Sequence, residues 1–193
     1  MNSDVLICNM ALSRLGASRI SSLEVGTDNN NNAATCSVFY AHTVKEVLAV
    51  HDWSFATKRC KLAQLADDNY TPFTYKYQMS SDIISVSVLT DDDGNDLKEE
   101  DFSIEGDSLY CNLSPCWIKY ITSNTPEKIF SPMFTELLIL RLAYKIAFPI
   151  TNEEKYEIKF AQLYEGYLRK VKGKDTGSKK KRPRGKFSWS EGS

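Results

Sequence analysis

Ser131-Pro132-Met133-Phe134-Thr135-Glu136-Leu137-Leu138-Ile139-Leu140-Arg141-Leu142-Ala143-Tyr144-Lys145-Ile146-Ala147 opens like a helix and stays apolar on nearly every side. Serine is favoured just before a helix because its hydroxyl accepts a free N–H of the first turn. Proline at the first helical position loses nothing by lacking its own N–H. From Phe134 onward apolar residues almost encircle the axis, which a surface helix does not do. This helix is expected at the centre of the protein, with other helices laid around it.

Working outward, Pro149 is expected to break the helix. Thr151-Asn152-Glu153-Glu154 reads as a capping box opening a last helix, with Tyr156, Phe160, Leu163, Tyr167 and Val171 on one face. At the other end of the chain, Val5, Cys8, Leu12 and Leu15 recur at helical spacing and Gly16 stands where a left-handed terminator belongs. After Thr27 and Asp28, the run Asn29 to Asn32 is poor helix sequence. Ala34, Val38, Ala41, Val44 and Leu48 then place an apolar stripe on a second helix that starts near Ala33 and ends near Asp52.

Between these helices the period changes from 3.6 to 2. Trp53-Ser54-Phe55-Ala56-Thr57, Phe73-Thr74-Tyr75-Lys76-Tyr77 and Ile84-Ser85-Val86-Ser87-Val88 alternate large apolar with polar or small residues, as strands do. Phe102-Ser103-Ile104, a turn at Glu105-Gly106-Asp107 and Ser108-Leu109-Tyr110 read as a hairpin, and Trp117 to Ile121 as a further strand. These strands predict one small antiparallel sheet. The expected architecture is α+β. N- and C-terminal helices (residues 1–52 and 126–172) form one bundle, an antiparallel β lobe (53–125) is inserted between them, and an extended basic arm (173–193) follows.

The chain has 193 residues, 42% of them apolar, enough for one well-buried domain or two small ones sharing a core. No apolar run approaches the ~18–20 residues of a membrane span, and Met1-Asn2-Ser3-Asp4 lacks the basic start of a signal peptide, so a soluble protein made in the cytoplasm is expected, with no membrane partner. Five scattered cysteines (Cys8, Cys36, Cys60, Cys111, Cys116) point to reduced, structural thiols. The closest two, Cys111 and Cys116, have a spacing that suits no standard zinc site.

Catalytic signatures are weak. His42 and His51 lie nine residues apart with no nucleophile motif around either, and the 9 glycines form no phosphate loop. In Asp91-Asp92-Asp93-Gly94-Asn95-Asp96 the glycine falls too early for a calcium loop, and neither Glu100 nor Asp101 stands at the closing position. A solvated acidic turn is expected there rather than a metal site. Many carboxylates are available for sugar hydrolysis, yet no pair is singled out. No catalytic residue, cofactor or metal ligand is assigned. Tyr75, Tyr77, Tyr110, Trp117 and Tyr120 could stack bases, but their alternation with polar residues fits a half-buried sheet, and the acidic surroundings would repel phosphate.

Charge is distributed unevenly. Residues 170–193 hold 9 basic and 2 acidic residues, a net of +7; of the chain's 24 basic and 25 acidic residues this leaves 15 and 23 in residues 1–169, a net of −8. The basic stretch has too few apolar residues to offset an ordering cost of ~1–2 kcal/mol per residue by itself. Lys179, Lys180, Lys181, Arg182, Arg184 and Lys186 suit an anionic partner, and Phe187 and Trp189 are the kind of residue that anchors an interface.

Several words and their order resemble the tail tubular protein A family, the head-to-tail adaptors of short-tailed bacteriophages: Ala11-Leu12-Ser13-Arg14-Leu15-Gly16-Ala17, Trp53-Ser54-Phe55-Ala56-Thr57-Lys58-Arg59, Tyr75-Lys76-Tyr77-Gln78-Met79 and Phe130-Ser131-Pro132-Met133-Phe134. The resemblance spans nearly all of residues 4–170. Two departures are that Ser131 stands where the family favours aspartate and Ser80 where it favours proline. The resemblance implies a non-enzymatic virion tail protein, assembled in the host cytoplasm. It would form a ring of twelve subunits between the portal protein and the tail nozzle protein, with DNA passing through the bore without sequence-specific binding. On that reading the eight arm residues form a portal-binding segment. The rival readings are a nucleic-acid-binding module that places the arm on DNA and, further off, a tail-associated hydrolase.

Overall fold

A computed structural model describes residues 3–24, 30–66 and 71–178 of the chain. Within them lie α1 (Ser3–Leu15), α2 (Asn31–Ala49), β1 (Thr57–Lys61), β2 (Ala63–Leu65), β3 (Tyr75–Gln78), β4 (Ile83–Thr90) and β5 (Asp96–Leu97). They are followed by β6 (Phe102–Glu105), β7 (Ser108–Cys111), β8 (Trp117–Thr122), α3 (Pro132–Thr151) and α4 (Glu154–Ser178). The fold is α+β, with helices at both ends and antiparallel sheet between them.

The helix begun by Ser131 is central, as its composition requires. The Ser131 hydroxyl accepts the Phe134 N–H at 3.3 Å and Pro132 opens the first turn. Phe134, Leu137, Leu138, Leu142, Ala143, Ile146 and Ala147 are completely buried, and α1, α2 and α4 each pack against α3. Pro149 does not break the helix. It sits exposed in the last turn, where its missing N–H removes one bond near an end whose carbonyls are already unpaired. The helix stops at Asn152, which is left-handed (φ 56°) and whose N–H bonds the Phe148 carbonyl at 2.9 Å. The Thr151 hydroxyl donates to the Ala147 carbonyl (2.8 Å) and accepts from the Glu153 N–H (3.1 Å), tying α3 to the entry of α4.

α1 follows its sequence closely. Val5, Cys8, Leu12 and Leu15 are buried, and Gly16 (φ 71°) ends the helix with paired bonds, Gly16 N–H to Ser13 and Ala17 N–H to Leu12. On α2 the start is as expected, with the Asn30 side chain capping the Asn32 N–H at 3.0 Å, but the buried face is not the expected one. Ala33, Cys36, Tyr40, Thr43, Val47 and Leu48 face the core, whereas Ala34 and Ala41 are exposed and Val38 is 70% exposed. Both stripes satisfy helical spacing, and the buried one is disguised by Thr43, whose hydroxyl is satisfied by the Phe39 carbonyl (2.7 Å). On α4, Phe160, Tyr164 and Val171 are buried and Tyr156, Tyr167 and Leu168 pack beside them, while Leu163 points outward. α4 also continues to Ser178, through the first residues assigned to an extended arm, because lengthening an established helix fixes one residue per added bond.

Trp53 to Thr57 is not a strand. The Ala56 N–H bonds the Trp53 carbonyl at 3.0 Å in a short 3₁₀ turn (Ser54–Ala56), and β1 begins only at Thr57. Tertiary contacts override the alternation. The Trp53 indole N–H donates to the Val47 carbonyl at 2.9 Å, satisfying one of the open carbonyls at the end of α2. Its ring meets Phe134 edge-on at 5.1 Å, and Phe55 meets Phe134 at 5.1 Å and Phe130 at 5.7 Å.

The middle of the chain forms two four-stranded antiparallel sheets rather than one, in the orders β1-β8-β4-β5 and β2-β3-β7-β6. The chain changes sheet at Leu62, whose side chain is buried between them and whose N–H bonds the Cys116 carbonyl at 3.0 Å. Leu62, Tyr77, Leu89, Leu109, Cys111, Cys116, Ile118 and Tyr120 make this lobe's own core. The hairpin is as expected, β6 pairing with β7 around Gly106 (φ 61°). β8 serves both bodies: Ile118 and Tyr120 point into the lobe, and Ile121 into the core of the helical bundle.

Replacing Phe134 with alanine is expected to cost about 3–5 kcal/mol of unfolding free energy, since a fully buried aromatic is removed from a packed cluster. Val38→Lys should leave stability within about 0.5 kcal/mol, because that side chain already faces water. Urea denaturation of the two variants checks both, and the reverse order of effects would mean that the α2 stripe is wrongly placed.

Candidate interaction surfaces

The eight arm residues, Lys179, Lys180, Lys181, Arg182, Arg184, Lys186, Phe187 and Trp189, lie outside the described residues. In the chain they directly follow the end of α4. Beside that end, Met133 at the start of α3 and Tyr167, Lys170, Val171 and Gly173 of α4 line a shallow groove of about 320 Å³.

A larger groove, about 530 Å³, lies on α1 and α3. Leu6 and Met10, nearly half exposed, form its apolar wall with Ile139, and Arg14, Arg19 and Glu136 supply charge at its margin. A single guanidinium nitrogen of Arg14, Nη2, donates to both Glu136 oxygens, at 2.7 and 2.8 Å. The buried Asn9 amide accepts from the Ile20 N–H (2.8 Å) and donates to the Ile20 carbonyl (2.9 Å). This folds residues 16–20 back along α1 and sets Arg19 at the groove's edge. Sequence reading passed over this surface because Leu6 and Met10, four residues apart, border the buried stripe and look like part of it.

Where α2, α3 and α4 meet, one carboxylate faces two cations. Glu46 accepts from Arg141 Nε at 2.7 Å and pairs with Lys145. The Arg141 guanidinium lies over the rings of Tyr144 (4.9 Å) and Tyr164 (5.0 Å). Burial pushes the Glu46 carboxyl up, but the hydrogen bonds and charges of Lys145 and Arg141 outweigh it and hold the group below its ordinary value. Tyr164 joins this stack from the buried face of α4 that it shares with Phe160 and Val171.

In the lobe, Asp96 bridges Arg59 (3.2 Å) and Lys119 (2.9 Å), and Asp91 accepts from the Asn95 N–H at 2.7 Å, so the acidic run is a hydrogen-bonded turn. Among the described residues no three His, Cys, Asp or Glu side chains are grouped to hold a metal ion. Tyr77 and Tyr120 are buried in the lobe core, the Tyr77 hydroxyl donating to the Leu113 carbonyl at 2.6 Å. These two faces are therefore closed to a stacking base. His51 packs edge-on against Trp53 at 5.0 Å, while His42 is exposed on α2.

Glu46→Gln should lower stability by about 1–2 kcal/mol at pH 7, between the values for exposed and buried pairs, since it leaves two cations facing a neutral amide. The sign of the pH dependence follows from the lowered folded-state pKa. The native chain keeps this contribution above the unfolded value of about 4.3 and loses it as pH falls through the folded value. Urea titrations between pH 7 and pH 3 should therefore show the gap between native and variant closing in acid. No protein-family model matches this chain, and no curated protein matches it.

Proposed function

We propose that this protein is a structural head-to-tail adaptor of a short-tailed bacteriophage. It assembles as a ring, twelve subunits on the resemblance, between the portal and the tail nozzle. The helical bundle faces the portal, the β lobe faces the nozzle, and DNA passes through the bore. The reading has no catalytic step, and the virion tail is the site of action.

One observation carries the most weight. Two of the words that support the resemblance, Trp53 to Arg59 and Phe130 to Phe134, are some 75 residues apart in the chain, yet Trp53, Phe55, Phe130 and Phe134 converge in one aromatic cluster. A third word, Ala11 to Ala17, is the paired-bond terminus of α1. Segments that converge on structural joints are what a shared architecture would preserve. The net charge of −8 in residues 1–169 suits a channel that must let DNA slide, because a negative wall repels phosphate. The basic end of the chain, +7 over residues 170–193, then acts away from the bore, on the portal, with Phe187 and Trp189 as anchors.

Native mass spectrometry tests the proposal, on the chain alone and after mixing with the portal ring from the same genome. The expected result is a stoichiometric ring complex that a chain ending at Ser178 forms much more weakly. Equal binding by the shortened chain would remove the arm's role. No portal complex, with DNA binding that falls steeply as salt rises, would instead assign the arm to nucleic acid.

A further inference from the structure

We propose that Cys111 and Cys116 form an oxidisable dithiol, which a small disulfide such as oxidised glutathione converts to an intramolecular disulfide inside the β lobe. The two side chains are completely buried in the same eight-residue core, and each acts on the other's ionisation. The Cys111 thiol also approaches the Leu113 carbonyl at 3.7 Å, so both sulfurs are held beneath the loop that joins them. Asn112, Ser114 and Pro115 of that loop are exposed, so local opening at the end of β7 is the route by which the small disulfide would reach the sulfurs.

Three other cysteines provide internal comparisons. Cys8 and Cys36 also face each other, but they lie completely buried between α1 and α2, where access requires parting the bundle core. Cys60, on β1, is half-buried, and burial pushes its thiol up. Interaction with Cys116 also lowers the Cys111 thiol below an ordinary cysteine while Cys116 is raised, which makes Cys111 the attacking sulfur.

The exchange balances in two steps. The Cys111 thiolate, its proton given to solvent, attacks one sulfur of the glutathione disulfide. That S–S bond breaks, one glutathione thiolate leaves, and a mixed disulfide forms on Cys111. Cys116 then loses its proton and attacks the Cys111 sulfur, forming the internal S–S bond and expelling the second glutathione thiolate. The two cysteines give up two electrons, the two glutathione sulfurs gain them, and the two released protons match the two thiolates.

The test is to treat the full chain with oxidised glutathione at pH 8, count free thiols in denaturant and map the unreduced peptides. Free thiols should fall from the five of the sequence to three, with a loss of about 2 Da and a single link inside residues 111–116. Cys116→Ser should stop at the mixed disulfide, seen as an adduct of about 305 Da on Cys111. The proposal fails if five thiols persist under conditions that oxidise the denatured chain, or if the link joins Cys8 to Cys36 or Cys60 to Cys116.

Discussion

A helix that is apolar on nearly all sides cannot be left in water, and α3 imposes that constraint on everything else in the bundle. It needs neighbours around it, and α1, α2 and α4 supply them while scarcely packing on one another. Each of these three helices therefore has one face committed to α3 and an opposite face that remains polar or carries isolated apolar residues, such as Val38 on α2 and Ile158 and Leu163 on α4. Where charged groups enter this arrangement, as Glu46, Arg141 and Lys145 do, they enter together, with Arg141 stacked on two tyrosines and all three only partly removed from solvent.

The same helix also fixes the lobe. Phe134 in its first turn is the meeting point for Trp53, Phe55 and Phe130, so the residues that leave the bundle and those that return to it are held by one ring. Beyond that point the chain builds a second core with its own membership, and β8 supplies residues to both. Two hydrophobic clusters sharing a strand make a stiffer join than two bodies linked by a loop, because turning one against the other would expose Ile118 or Ile121.

Much of this was legible in the chain. The central helix, the α1 stripe with its Gly16 terminator, the hairpin at Gly106 and the helix–sheet–helix order all follow from local patterns that tertiary packing does not contradict. The misreadings share a cause, which is that a local pattern had two physical solutions. α2 carries two stripes at helical spacing, and the choice fell to the one containing Thr43 because a threonine hydroxyl can be silenced by its own helix. Trp53 to Thr57 alternates like a strand, but an indole N–H near open helical carbonyls finds a better partner there than in a sheet. The division into two sheets escaped notice because β2 is too short to show a period and strand periodicity does not say which strands pair. Of the candidate surfaces, the basic arm is a feature of charge alone, whereas the α1–α3 groove depends on where the Asn9 amide places residues 16–20, a contact that no spacing rule encodes.

Thr57 at the start of β1 is paired directly with Ile121 near the end of β8, and this pairing has a topological consequence. Cα atoms opposite one another on antiparallel strands lie about 4.5–5.5 Å apart. The long excursion between α2 and α3 thus begins and ends at almost the same point. Seen from the bundle, the segment between those two residues behaves as a very short connection whose closure is enforced by hydrogen bonds rather than left to a wandering loop. The lobe is a cassette. Its size can change by insertion or deletion at its far turns without altering the distance that α2 and α3 must bridge, so the helical and sheet bodies are free to diverge at different rates.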